Sequence, residues 1–326
     1  MPATVEHLFD DKRPFAECHA STLVQLANGT FVAAWFGGTR ESTDDVGIWG
    51  ATREGKQWSA PCLLAKTREH AHWNPVLFLD AGGTLHLYFK VGQTIPRWET
   101  WVIQSADGGQ TWDTPRELVP GDRGGRGPVK NKPIALDDGT WLAGASIEND
   151  EGWDVFVDRS EDGGKTWTAT PRVERDPQLF SGRGAIQPTL WQSAPDAVHM
   201  LVRTTCGRVG RSDSHDNGRT WSPLYVLDLP HNNSGLDLAR LPDGTLALVC
   251  NPVEKGRTPV SLLLSDDNGE TWKRRLDLET ATGEYSYPAI VPTADGLALT
   301  YTWKRERIAF WQGSVDDIPP TDKATA

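Results

Sequence analysis

An octapeptide recurs four times in this chain: SADGGQTW from Ser105, SEDGGKTW from Ser160, SHDNGRTW from Ser214 and SDDNGETW from Ser265. Successive copies begin 55, 54 and 51 residues apart, and a worn copy, ATREGKQW, stands one period before the first. A second repeat runs in phase with it, a tight-turn signal between apolar alternating segments. Its copies are LANGTFVAAW around Gly29, LDAGGTLHLYF around Gly83, LDDGTWLAGA around Gly139, LPDGTLALVC around Gly244 and TADGLALTY around Gly296. The copy due between Gly139 and Gly244 is degenerate, QSAPDAVHMLV. Self-similarity at such a period means that each unit buries its apolar faces against its neighbours and cannot do so alone.

Within each unit the residues alternate apolar and polar over short runs, as half-buried strands do, and no segment sustains a helical period. Four short strands in each unit of about 50 residues are the signature of propeller blades. Six such units fill the chain. The sequence therefore predicts an all-β fold, a six-bladed β-propeller with four-stranded antiparallel blades, as a single domain over residues 1–326. The last unit supplies strands near 285–291, 297–301 and 308–312, one short of four. The N-terminal VEHLF is expected to complete that blade and close the ring, which removes exposed edges. The tail after Asp317 is expected to fray.

Composition agrees: 15 Trp, 32 Gly and 22 Pro against 2 Met suit many turns with rigid plates between short strands. The formal net charge of -11 excludes the basic surface that nucleic acid or an anionic membrane needs. An anionic ligand must then be held by a local cluster of cations. No stretch reaches the roughly 18 apolar residues of a spanning helix, and the start MPATVEHLFDDKRPFAECH lacks the basic and then apolar layout of a secretory leader, so a cytoplasmic location is expected. Cys18, Cys62, Cys206 and Cys250 lie far apart without metal-ligand spacing and read as reduced, mostly buried thiols.

In S-x-D-x-G-x-T-W the Asp suits a tight turn as acceptor of N–H bonds, the Gly takes positive φ, the Thr restarts a strand and the Trp packs beside it. These are scaffold duties, since a calcium loop needs more oxygen ligands than one Asp per copy. The octapeptides match the Asp-box, and over nearly its whole length the chain resembles the sialidase superfamily. That resemblance implies a six-bladed propeller whose Asp-boxes sit in turns away from the active site.

Chemistry is expected in the segments that differ between units, each leading into a first strand: ECHAST, HAHWNPV, GPVKNKPI, GAIQPTL, NNSGLDL and GEYSYPA. Inner strands of a propeller begin around one mouth of the central channel, and these segments are rich in His, Asn, Lys, Gln, Asp and Tyr. The plainer alternative is that they only plug the channel with hydrogen bonds. From them come His70, His72 and Asn74, Asn131 and Lys132, with Lys130 adding charge, and Asp237 as candidate substrate-binding groups. HAH at His70 to His72 can also be imagined on a metal, but polar lining is the reading adopted, with no metal and no cofactor.

The resemblance implies three arginines for a sugar carboxylate, an Asp acid/base and a Tyr nucleophile activated by a Glu. Arg203 in HMLVRT and Arg257 in NPVEKGR match the second and third arginines. YSYPAIV offers Tyr285 as nucleophile and Tyr287 as the alternative. TRESTDDVGIW offers Asp45, or Asp44, as acid/base with Arg40 beside it. Two positions depart from the pattern: His19 stands where the first arginine is expected, and Gln187 where the Glu is. A Gln takes no proton, so the tyrosine lacks its usual base, while His19 adds a group that ordinarily titrates near neutrality.

Three readings compete. The first is an exo-acting glycosidase that cleaves a terminal acidic sugar, sialic-acid-like or uronic, with Asp45 as acid, Tyr285 as nucleophile and His19 as base. The second is a lyase that eliminates across a uronate, with His and Tyr exchanging protons while arginine neutralises the carboxylate. The third is a glycan-binding propeller without catalysis. Hydrolysis of an acidic glycan is the leading expectation.

Overall fold

The computed structural model describes residues 5–321. It is a six-bladed β-propeller, each blade an antiparallel sheet that runs outward from the central channel. The innermost strands are Glu17–Gln25, His72–Leu79, Ile134–Ala135, Ala185–Ala194, Asp237–Arg240 and Tyr285–Thr293, in blades one to six. Blade one has its outer edge in two pieces, Gln57–Trp58 and Cys62–Ala65, both pairing with Gly47–Glu54. Blade six is completed by Glu6–His7, which pairs with Phe310 and Ala309 of Arg307–Gly313.

The apolar alternation becomes a set of seams. Among the described residues, six buried clusters each join two adjacent blades, and the seam between blades one and six holds Leu8, Phe9, Trp35 and Phe310. Burial of a large apolar side chain contributes about 1.5–3 kcal/mol, so the ring is held by many such contacts spread over all its seams.

The two repeated motifs build the end of the propeller opposite the strand lead-ins. At the hairpin of blade three, Gly139 adopts φ 86° and its N–H donates to Leu136 O at 2.9 Å. In the first octapeptide Asp107 Oδ1 accepts from Ser105 Oγ at 2.8 Å and Thr111 N–H at 2.9 Å, and Oδ2 accepts from Thr111 Oγ1 at 2.6 Å. Asp162, Asp216 and Asp267 repeat these bonds. The four tryptophans Trp112, Trp167, Trp221 and Trp272 pack against seam clusters, so each turn ties its own blade to a neighbour.

Two expectations need correction. Residues 318–321 do not fray: Ile318 is 1% exposed, Arg275 N–H donates to Pro319 O at 2.9 Å, and Thr321 N–H donates to Lys273 O at 2.7 Å. The tail beyond Thr321 lies outside the described residues. Of the cysteines, Cys18 and Cys250 are buried but Cys62 is exposed, because it sits on the free edge of blade one; all four are unpaired thiols.

The octapeptide carboxylates make stability pH-dependent. Hydroxyl and N–H donors of Thr111 and Thr166, with the Ser hydroxyls, pull the Asp107 and Asp162 carboxyls down to about 2, and the same bonds bring Asp216 to about 2 against its burial. A depressed folded-state pKa stabilises above the unfolded value and loses that stabilisation as pH falls through the folded one. The thermal midpoint should therefore fall as pH drops from about 4 to about 2, and Asp162→Ala should show a shallower fall. Calorimetry across that range tests this; an unchanged profile in Asp162→Ala contradicts it. Leu8→Ala, which opens a cavity where the N-terminal segment closes the ring, should cost about 2–5 kcal/mol in chemical denaturation.

Candidate functional site

In blades one, two, four and six the pairing of the innermost strand slips near its start. The shifts lie between His19 and Thr22, Trp73 and Val76, Ile186 and Thr189, and Ser286 and Ala289. In each bulge one residue enters the left-handed region: Ala20 at φ 56°, Asn74 at 42°, Gln187 at 57° and Tyr287 at 52°. Bulges re-aim side chains, and non-glycine residues persist in such conformations only where the surroundings over-determine them. Here they turn Gln187 and Tyr287 toward each other across the mouth.

Tyr287 is the centre of the arrangement. Arg203 Nη1 donates to its hydroxyl oxygen at 2.7 Å and Gln187 Nε2 at 3.3 Å, while Gln187 Oε1 accepts from Arg203 Nη1 at 3.3 Å. The guanidinium carbons of Arg203 and Arg257 lie 5.8 and 5.9 Å from its ring centroid. The His19 ring packs against it at 4.3 Å. Arg203 is fixed from behind by Asn233, whose Oδ1 accepts from Nε at 2.7 Å, and it lies over Trp153 at 5.3 Å.

A third arginine enters from blade six. Lys304 and Arg305, with φ 52° and 57°, are the central residues of a turn closed by Glu306 N–H on Trp303 O at 3.0 Å, which joins Gly296–Trp303 to Arg307–Gly313. Such turns match the twist of the strands they join. Arg305 Nε donates to Glu284 Oε1 at 2.8 Å, and Arg257 Nη1 donates to the same oxygen at 2.5 Å. Arg305 also pairs with Glu41. Sequence reasoning missed Arg305, Glu284 and Glu41; YTWKRERI has none of the Gly, Asn or Asp that announce a positive-φ turn, so no local signal marked the first.

Several expected roles change. Tyr285 is 1% exposed and belongs to the seam between blades five and six, so the alternative Tyr287 is the tyrosine of the mouth. His19 does not titrate near neutrality: burial, then Arg305, Arg257, Arg203 and Lys130, hold its pKa well below 6.5, and its Nδ1 has no hydrogen-bond partner. It is a neutral ring under a cationic cluster, and a poor base. Asp45 closes its own loop, with Oδ1 accepting from Thr43 Oγ1 at 2.5 Å and Oδ2 from Thr39 N–H at 2.7 Å. The Thr43 hydroxyl and then the Thr39 N–H outweigh its slight burial and keep that carboxyl low, the reverse of what an acid catalyst needs. Asp44 is exposed and 4.0 Å from His70 Nδ1, and Arg40 is exposed in the same loop.

Other lead-in groups plug the channel. Lys132 Nζ donates to Asp237 Oδ2 at 2.9 Å, and Asp237 also accepts from Thr189 Oγ1 and Ile290 N–H, each at 3.0 Å. Lys130 donates to Asn131 Oδ1 at 2.9 Å and Leu236 O at 3.1 Å, and it also donates to Pro288 O. Asn131 holds Gln187 O at 3.1 Å, and Asn74 holds Val129 O at 3.0 Å. These groups spend their hydrogen bonds on the protein and set the bulges beneath Tyr287. His72 spends both nitrogens, Nε2 accepting from Thr67 N–H at 2.8 Å and Nδ1 facing His70 O at 2.8 Å; burial pushes it down to about 4. Among the described residues no group of three or more His, Cys, Asp or Glu is placed to hold a metal.

Beside the arginines a cavity of about 310 Å³ opens between the mouth loops of blades one to three, lined by Trp73, Trp153, Glu148, Asp150, Arg183 and Ser42 among others. Burial pushes the Glu148 carboxyl up, against the attraction of Arg203 and a bond from Ser146. A carboxyl beside aromatic plates and a guanidinium can hold a proton for delivery or grip a sugar hydroxyl.

Comparison with known proteins follows the same lines. Residues 29–299 match the family described as BNR repeat-like domain. Among curated proteins none matches the sequence. The fold is similar to a protein of unknown function from Dyadobacter fermentans, at 16% identity and TM-score 0.77, covering 95% of this chain and 99% of that one. It is similar to a K499G mutant of NanB sialidase from Streptococcus pneumoniae, at 13% identity and TM-score 0.79, covering 97% and 71%. It is also similar to Trypanosoma rangeli sialidase in complex with the inhibitor DANA, at 15% identity and TM-score 0.72, covering 92% of this chain and 55% of the other. At these identities the likeness is one of fold. With most of its length matched by the family model, and its six blades and octapeptide turns in place, this chain belongs to the BNR repeat-like domain family, on the propeller that sialidases share.

Proposed function

We propose that the protein is a glycosidase that removes a terminal acidic sugar, with Tyr287 as the nucleophile and Arg203, Arg257 and Arg305 as the carboxylate-binding side of the mouth. The observation that carries this reading is the 2.7 Å bond from Arg203 Nη1 to the Tyr287 hydroxyl, reinforced by Gln187 Nε2. Two donors directed at one phenol oxygen fill its acceptor side and leave its own O–H free to face a substrate. Guanidinium groups suit a sugar carboxylate by geometry and charge.

In the glycosidic step the Tyr287 oxygen attacks the anomeric carbon, the bond to the leaving oxygen breaks, and that oxygen takes a proton. Glu148 is the carboxyl of the mouth suited to donate it, because burial favours its protonated form, whereas Asp45 is held ionised. The phenol proton leaves to solvent or to the bound sugar, since Gln187 has no basic site and the surrounding cations oppose charging His19. Elimination across a uronate is the second reading; the missing carboxylate beside Tyr287 favours it, since Tyr287 can then serve as the proton donor or acceptor.

A panel of acidic oligosaccharides, followed by reducing ends and by the ultraviolet absorbance of an unsaturated uronate, tests these readings. New reducing ends without absorbance are expected. Absorbance establishes elimination, and sugar binding without either signal establishes a binding module. Tyr287→Phe should lower turnover by about 10²–10⁴-fold while Tyr285→Phe leaves it within a small factor; equal losses contradict the assignment. Glu148→Gln should cost about 10²–10⁴-fold on sugar leaving groups and little on aryl glycosides whose leaving group needs no proton. A uniform loss on both substrates contradicts a proton-donor role. Gln187→Glu, which places a proton acceptor beside Tyr287, should raise the hydrolytic turnover; a fall contradicts nucleophilic attack by that tyrosine.

A further inference from the structure

Blade four carries a second polar constellation, at the end of the propeller opposite the arginines. Ser193 Oγ lies 2.7 Å from His199 Nε2, and His199 Nδ1 lies 2.5 Å from Asp213 Oδ1. The three residues sit on consecutive strands of one sheet, Ala185–Ala194, Ala197–Thr204 and Arg208–Ser214, with His199 directly opposite Asp213 in the register. Ser193 falls at a register shift between Gln192 and Ala194 and is partly exposed beside the turn of the degenerate repeat QSAPDAV.

The chemistry of the partners sets the proton positions. Arg211 Nη2 lies 3.3 Å from His199 Nδ1, but the carboxylate at 2.5 Å is closer and only accepts, so Nδ1–H donates to Asp213 and Nε2 keeps its lone pair toward the Ser193 hydroxyl. Asp213 is anchored twice more, by Tyr225 Oη on Oδ2 at 2.7 Å and by Arg211 Nε on Oδ1 at 3.0 Å. Burial opposes its charge, but the bonds from His199 and Tyr225 and the charge of Arg211 hold this carboxyl well below the usual range. The imidazole is stacked on Trp191 at 4.9 Å.

A fourth group completes the arrangement from the next blade. Trp191 Nε1 donates to Asn268 Oδ1 at 2.7 Å, which turns the other end of that amide, Nδ2, to 3.2 Å from His199 Nε2. Asn268 Nδ2 thus donates to the same imidazole nitrogen that faces the Ser193 hydroxyl, and that N–H is released for a new acceptor once Nε2 takes a proton. A histidine on the second strand of blade two shows what a purely structural version looks like. His86 spends Nε2 on Asp80 and Nδ1 on Gln104, each at 2.9 Å, and no hydroxyl faces it.

We propose that Ser193, His199 and Asp213 form an acyl-transfer site for small carboxylic esters, with Asn268 as donor to the oxyanion. The Ser193 oxygen attacks the ester carbonyl as its proton passes to His199 Nε2, and the carbonyl oxygen takes the negative charge beside Asn268 Nδ2. Collapse expels the alcohol, which receives that proton from His199. A water molecule, deprotonated by the same nitrogen, then attacks the acyl-serine to release the carboxylic acid and restore the hydroxyl. Asp213, Tyr225 and Trp191 act as positioning residues.

The test is labelling of the intact chain by a fluorophosphonate, with the modified residue identified by mass spectrometry, alongside hydrolysis of p-nitrophenyl acetate. One addition at Ser193 is expected, and none in Ser193→Ala, whose ester hydrolysis falls to the rate of the free imidazole background. Asn268→Ala should lower the ester rate by about 10²–10³-fold while labelling persists at a slower rate. Asp213→Asn should change the pH profile of hydrolysis, which a merely structural residue would leave in place. Labelling elsewhere, or a Ser193→Ala variant that hydrolyses the ester as fast as the wild type, overturns the proposal and makes the constellation a lock between blades four and five.

Discussion

Ring closure is the constraint on which this structure depends. Each blade buries both faces against its neighbours, so no blade is stable alone, and the seam between blades one and six forms only when the N-terminal segment returns to the last sheet. Leu8 and Phe9 then pack against Trp35 and Phe310, at the seam where the two ends of the ring meet. The octapeptide turns serve the same end: their tryptophans bridge seams, and their carboxylates spend their hydrogen bonds within the turn. That uses up the repeated residues as scaffold and leaves chemistry to the segments that differ.

The mouth is a balance of charge. Three arginines converge on it, yet Glu284 is shared by Arg257 and Arg305, and Glu41 pairs with Arg305. Arg203 alone is held by neutral partners, Asn233, Gln187 and Tyr287. A fourth cation would raise repulsion in a closed space, and the residue at that place is a neutral imidazole, His19, kept uncharged by burial and by its cationic neighbours. An anionic ligand therefore meets one guanidinium without a carboxylate partner among the described residues and two already paired, and its strongest contact is expected at Arg203, beside Tyr287.

The fold was legible because the blade period and its turn glycines are local signals that survive in every unit. His19 and Gln187, from the lead-in segments, and Arg203 and Arg257, to which the resemblance pointed, come together around Tyr287. The choice between Tyr285 and Tyr287 was not legible, because regular strand alternation puts both on one face and only the bulge between Ser286 and Ala289 separates them. The proline after Gln187 and after Tyr287 was the available hint, since it cannot donate to the ladder. Arg305 and Glu148 escaped because they lie at the far ends of second strands, close to the lead-ins only through the folded ring. Asp45 looked like an acid until its loop showed Thr39 and Thr43 saturating the carboxylate.

Tyr287 is proposed as the nucleophile of an acidic-sugar glycosidase. The most direct test of that role is trapping with a fluorinated acidic glycosyl fluoride, which slows release of a covalent intermediate, followed by peptide mapping. A glycosyl adduct on Tyr287 is the predicted result. An adduct on Tyr285 or on a carboxylate, or turnover of the sugar by elimination with no adduct, would contradict the account.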